Sequence, residues 1–182
     1  MIPNDKEIRS AIKSIIDTGL NTYYSGLTNP RVYSRWIIDL TVGDNPNSLK
    51  ALTGSTQGKI DAYLIGIDGI DRSRPDQKDG YLTGSLQKIG PNLRIIRKSY
   101  KIWRLKQLIT GTEDENSEND LVQEVEYIGD EFSKYPDLKL NNNAIRGHGE
   151  LQFTQIDSVS FGKEAVLLAT GYLEVVVNRN LI

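Results

Sequence analysis

The chain has 182 residues, 22 basic and 24 acidic, for a net charge of −2, with one histidine and no cysteine. The near-neutral balance excludes a general affinity for nucleic acid or anionic membrane, and the lack of cysteine excludes a disulfide framework or a thiolate metal site. The opening MIPNDKEIRS has no apolar h-region, and no apolar run approaches the ~18–20 residues of a membrane span. The expectation is therefore a soluble cytosolic chain without a signal peptide. The length predicts a single domain over 1–182 that buries roughly 70% of its unfolded surface.

The first expected element is a helix. Asn4 or Asp5 can cap it, and Glu7 suits a capping box. Ile8, Ala11, Ile12, Ile15 and Ile16 form one apolar stripe, and Gly19 fits the C′ position. A single stripe needs a single partner surface, which predicts packing on a sheet. Arg35 to Val42 reads as a strand, and Gly43 to Gly58 as a turn-rich loop. Lys59 to Ile67 reads as a second strand, Asp68-Gly69-Ile70-Asp71 as a turn, Asp71 to Gly80 as a polar loop, and Tyr81 to Lys88 as a third strand. The region about 43–91 is thus an elaborated loop and hairpin.

Ile95 to Ile109 alternates basic residues with Tyr100, Ile102, Trp103 and Leu105. Ile96, Tyr100 and Trp103 also fit helical spacing, but the β-branched and aromatic content and Gly111 favour a strand. Its charge suggests a sheet edge or a partner subunit. A second helix begins with Asp120 as N-cap, carries Leu121, Val125, Ile128, Phe132 and Tyr135 on one face, and stops at Pro136. Leu151 to Ser158 and Ala165 to Val177 form two strands around a turn at Phe161-Gly162-Lys163-Glu164. The last strand is apolar on one face and half polar on the other, which predicts a central position.

Charge is strongly segregated along the middle of the chain. Seven basic residues lie between Lys88 and Lys106 with no acid among them, and nine acids lie between Glu113 and Glu131 with no base among them. Catalytic signals are weak by comparison. Gly54-Ser55-Thr56-Gln57-Gly58-Lys59 has one residue too few between its glycines for a Walker A loop, and Ile60 follows the lysine. Asp68 to Asp71 lacks the alternating acids of a calcium loop. His148, between Gly147 and Gly149, reads as a structural loop residue, since no nucleophile or orienting acid accompanies it. No cofactor or metal is expected.

The element order resembles the tail terminator, or tail completion, proteins of tailed bacteriophages. An amphipathic helix (Glu7 to Ile16) precedes a strand and an elaborated hairpin. The strand KIWRLKQLI leads to the acidic loop TEDENSEN and the helix DLVQEVEYIGDEF. Two antiparallel strands, GELQFTQIDSVSF and AVLLATGYLEVVV, follow. The resemblance covers most of the chain as a pattern and has no diagnostic short motif.

The resemblance implies an α+β fold, with two helices on one face of a mainly antiparallel sheet, and no enzymatic activity. It implies a hexameric ring in the virion, made in the host cytoplasm, that caps the tail tube, ends its polymerisation and meets neck proteins. The tail sheath protein is a further implied partner, and DNA would pass through the ring without sequence-specific binding.

The charge segregation supplies candidate subunit contacts: Lys98, Tyr100, Lys101, Trp103, Arg104 and Lys106 on one subunit, Glu113, Asp114, Glu115 and Glu118 on the next. Ring contacts are heterologous, so two different and complementary patches are required. The alternatives are another neck or head-closure connector, a nucleic-acid-binding module using strand 94–106, and an enzyme of unrecognised class.

Overall fold

The computed structural model describes residues 3–25, 30–34, 59–73, 93–108, 115–140, 145–161 and 164–180. Helix α1 spans Asp5–Tyr23 and helix α2 spans Glu115–Ser133. The strands are β1 (Arg31–Tyr33), β2 (Asp61–Ser73), β3 (Leu93–Gln107), β4 (Ile145–His148), β5 (Gln152–Phe161) and β6 (Glu164–Asn180). They form one sheet in the order β1-β2-β3-β6-β4, with β5 also paired to β6. Among the described residues only the β1–β2 pairing is parallel. The fold is α+β, as expected.

The capping box expected for α1 is present. Glu7 N–H donates to Asn4 Oδ1 at 2.9 Å, and Asn4 N–H donates to Glu7 Oε2 at 2.6 Å, which satisfies two donors that the helix itself leaves open. The stripe Ile8, Ala11, Ile12, Ile15 and Ile16 is buried. It packs with Ile128 and Phe132 of α2 and with Tyr63, Ile65, Tyr100, Ile102, Leu173, Val175 and Val177 of the sheet. Those sheet residues share one face, so both helices cover the same side. The opposite side carries a smaller core of Ala62, Leu64, Leu105 and Val166, joined by Tyr33, Trp103, Val159 and Leu168. Among the described residues no helix is long and apolar enough to cross a membrane.

Several boundaries differ from the expectation. α1 continues to Tyr23, so Gly19 is an interior position where α1 crosses α2. A Cβ there would stand 2.7 Å from Ile128 Cδ1 and 3.4 Å from Glu131 Cγ. The glycine marks a close approach of helices, not a helix end. α2 begins at Glu115, ahead of Asp120. The acids at its start favour helix because they face the positive end of the helix dipole. Asp68 to Asp71 is strand rather than turn. β2 pairs with β3 through Ser73, with Asp68 extruded as a bulge between Ile67 and Gly69. His148 ends a strand, β4, rather than lying in a loop.

β3 is not an edge. It lies between β2 and β6, pairing with both along its length. The central position of β6 matches the expectation, since it pairs with β3 on one side and with β4 and β5 on the other. Phe153 of β5 faces Gly171 of β6, where a Cβ would stand 2.9 Å from its ring. The strands expected at Arg35–Val42 and Tyr81–Lys88, and the loop Gly43–Gly58, lie outside the described residues.

The Gly19 crossing predicts a size-dependent penalty. In Gly19→Ala, helix propensity gains about 1 kcal/mol, and Ile128 can turn its terminal methyl aside. Stability should stay within about 1 kcal/mol of the parent. Gly19→Leu should cost about 1–3 kcal/mol through overpacking. Urea unfolding measures both, and an unchanged Gly19→Leu would refute the close crossing.

Candidate interaction surface

The most concentrated chemistry in the described residues is a buried polar node. Arg104 on β3 lies directly opposite Tyr63 on β2, and α2 sets Glu124 above them. Arg104 Nε donates to Glu124 Oε1 at 2.7 Å, and Nη2 donates to Oε2 at 3.1 Å, a two-point clasp. Tyr63 Oη donates to Oε1 at 2.6 Å. Tyr24, at the end of α1, donates to Oε2 at 2.5 Å. Arg104 Nη1 donates to the Leu105 carbonyl at 2.5 Å. It also lies 2.6 Å from Asp61 Oδ1, which gains charge attraction without an aligned hydrogen bond. The Tyr63 ring lies 5.2 Å from the guanidinium carbon. Arg104 and Glu124 are each 1% exposed.

Burial is the largest single influence on each member, and at Glu124 and Arg104 the pairing outweighs it. Burial alone would raise Glu124. The charge of Arg104 and hydrogen bonds from Arg104, Tyr24 and Tyr63 override it, so the carboxyl is held below its ordinary value. Burial would lower Arg104, but Glu124 and Asp61 hold it well above its ordinary value. Tyr24 and Tyr63 are pushed up by burial first and by the Glu124 charge second. Both Glu124 oxygens are occupied from within the chain and the guanidinium is enclosed. The node clamps elements together and offers no open valence to a substrate.

The ten sequence-based candidates divide. Arg104 belongs to the node. Tyr100 is also fully buried, and its hydroxyl donates to Asp5 Oδ1 at 2.8 Å. Neither can meet a neighbouring subunit, because strand alternation turns both toward the helices. Lys98 and Lys106 are partly buried on β3. Glu118 is exposed on α2, Glu115 is its first residue, and Glu113 and Asp114 lie outside the described residues.

Lys101 and Trp103 point to the helix-free face. There the Lys101 ammonium stands 5.4 Å from the Trp103 ring and 5.6 Å from the Tyr172 ring. Arg97 Nη1 lies 3.7 Å from Glu174 Oε2 beside them, and Tyr172 is 38% exposed. These five side chains form a mixed cationic and aromatic patch on two adjacent strands. Sequence reasoning missed Tyr172 and Glu174 as members and set Arg97 beside Lys101 and Trp103 only in the nucleic-acid alternative. Only the β3–β6 register, which sets Lys101 opposite Tyr172, brings them together.

His148 acts as a tether. Its Nε2 meets the Tyr135 carbonyl at 2.9 Å and its Nδ1 meets the Gly149 carbonyl at 2.7 Å, with Phe132 edge-on at 5.9 Å. It joins the exit of α2 to β4. The Gly54–Lys59 phosphate-loop candidate lies almost wholly outside the described residues, with only Lys59 inside. Among the described residues no cluster of histidine, aspartate and glutamate is placed to hold a metal ion. No protein-family model matches the chain, and no curated protein matches it.

The node predicts how stability responds to pH. Glu124 is depressed in the folded chain, so its contribution is complete above the ordinary carboxyl value of 4.5 and is lost as pH falls through the lower folded value. Tyr24 and Tyr63 are raised, so their contribution is complete below the ordinary value of 10.0 and is lost as pH rises beyond it. Urea midpoints across pH should fall at both ends. Glu124→Gln should lower the plateau and flatten the acid limb. An acid limb as steep as the parent's would show that Glu124 does not carry it.

Proposed function

We propose that this chain is a non-enzymatic structural protein that forms a hexameric ring in a bacteriophage virion. In this reading the ring caps the tail tube, ends tube growth and joins the tail to neck proteins, with the sheath end as a further neighbour. The observation that carries the proposal is the placement of two unlike patches on opposite sides of one sheet. The Arg97, Lys101, Trp103 and Tyr172 patch lies on the helix-free side. The acidic start of α2, with Glu118 exposed, belongs to the helix side. Unlike patches on opposite sides favour head-to-tail contact over a face-to-face pair, and head-to-tail contact builds a ring when the rotation between neighbours closes. The enclosed Arg104–Glu124 node supports a structural role over a catalytic one, since its polar atoms are spent on holding the fold.

The sheet patch also revises which residues would make the contact. Trp103 and Tyr172 supply the apolar area from which affinity comes. Lys101 and the acids of α2 would set register and direction, at about 0–1 kcal/mol for each rim pair. A nucleic-acid reading of the same patch is weaker. Glu174 stands within it, and Lys101 already lies against the two rings on which a base would stack.

Assembly on isolated tail tubes tests the proposal. The parent chain should bind tube ends as a ring and stop their extension, as seen by negative-stain microscopy. Lys101→Glu should fold normally and lose end binding, and Lys101→Glu mixed with Glu118→Lys should regain it in part. A chain that stays monomeric and leaves tube growth unchanged would count against the ring. Salt-sensitive binding to single-stranded DNA would replace it with the nucleic-acid reading.

A further inference from the structure

β5 offers an open sheet edge. It pairs with β6 along one side, and among the described residues no strand pairs with its other side. Exposed edge strands commonly carry lysine, proline or inward charge, which discourage pairing with another chain. The segment Gln152–Phe161, QFTQIDSVSF, has neither lysine nor proline, and Asp157 is its one charge. Its only irregularity is a bulge at Thr154.

A groove of about 630 Å³ runs between this strand and α2. Val125, Leu151, Phe153 and Ile156 contribute its apolar lining, while Glu126 and Asp130 on α2 and Glu150 ahead of β5 make its polar rim acidic. Among the described residues no basic one lines it. Gly129 lets the helix come close to the start of β5, since a Cβ there would stand 3.0 Å from the Leu151 carbonyl oxygen. Glu126 and Asp130 are exposed and one helical turn apart, so both can reach a ligand along the same stretch of groove.

We propose that this groove receives an extended basic segment of a partner protein, which adds to β5 as a further strand. Main-chain hydrogen bonds to the open edge would supply affinity, and alternate side chains would supply specificity. The side chains that the added strand turns toward α2 would carry both functions: apolar ones would enter the lining of Val125, Phe153 and Ile156, and lysine or arginine two residues away, on the same face, would meet Glu126 or Asp130. The acidic rim disfavours nucleic acid and acidic peptides. The proposal does not rest on the ring reading, because the groove lies on a different part of the surface from the Lys101 patch.

A short fluorescein-labelled peptide of repeating valine-threonine-lysine-threonine, which turns valine and lysine to the same face, and its counterpart with glutamate for lysine, test this with the full chain. The basic peptide should raise anisotropy on binding, and the acidic one should not. Hydrogen exchange should slow at Gln152 to Ile156 in the complex. Glu126→Lys with Asp130→Lys should leave the far-ultraviolet dichroism unchanged and weaken binding about tenfold or more. Equal binding of both peptides, or slowed exchange elsewhere, would overturn the proposal. So would self-association of the free chain through β5 that the basic peptide fails to displace.

Discussion

A guanidinium held inside a sheet needs its charge answered, and four elements converge to answer it. Arg104 projects from near the end of β3, Tyr63 and Asp61 reach it from β2, Glu124 descends from α2, and Tyr24 arrives from the end of α1. Removing a charge from water costs several kcal/mol, and only close, well-directed partners recover it. Each partner therefore has to be in place at once. The requirement links the rotation of α2, the end of α1 and the β2–β3 register in one constraint.

The apolar contacts around the node could not impose that constraint alone. Leu121, Val125 and Ile128 give α2 a buried stripe, but burial of such side chains is non-directional and tolerates small rotations. Glu124 lies within that stripe, beside Val125 and one turn from Leu121 and Ile128. Its two-point clasp on Arg104 selects one rotation of the helix. With α2 so fixed, its acidic start stands on the helix side and its outer edge forms one wall of the β5 groove. The node occupies the helix side of β3, which leaves Arg97, Lys101 and Trp103 for the other side. The surface chemistry thus follows from an interior choice.

Much of the frame was legible in the sequence. The Asn4–Glu7 capping box, the isoleucine stripe of α1 and the long apolar alternation of β6 are local patterns, and the structure reproduces them. Arg104 reads as a surface residue because it sits in a basic run. Its position shares a face with Tyr100 and Ile102, four and two residues before it, which turns it inward, and Glu124 falls at an inward position of the α2 stripe. One base and one acid, each misplaced on an apolar face, are the sequence trace of a buried pair. Gly19 was read as a helix end because nothing local announces a crossing helix. The Lys101–Tyr172 contact depends on a register between distant strands, which no local pattern carries. Strand alternation divides the basic residues of β3 between two faces, so the basic surface is smaller than the charge block in the sequence.

A double-mutant cycle on Arg104→Met and Glu124→Gln, read by urea unfolding near neutral pH, tests the central constraint most directly. If the pair holds α2 to the sheet, each single change strands a buried polar partner and costs several kcal/mol. The double change should then be less harmful than the sum, with a coupling energy of about 2–3 kcal/mol. Additive losses, with a coupling near zero, would contradict the account and leave α2 held by apolar packing alone.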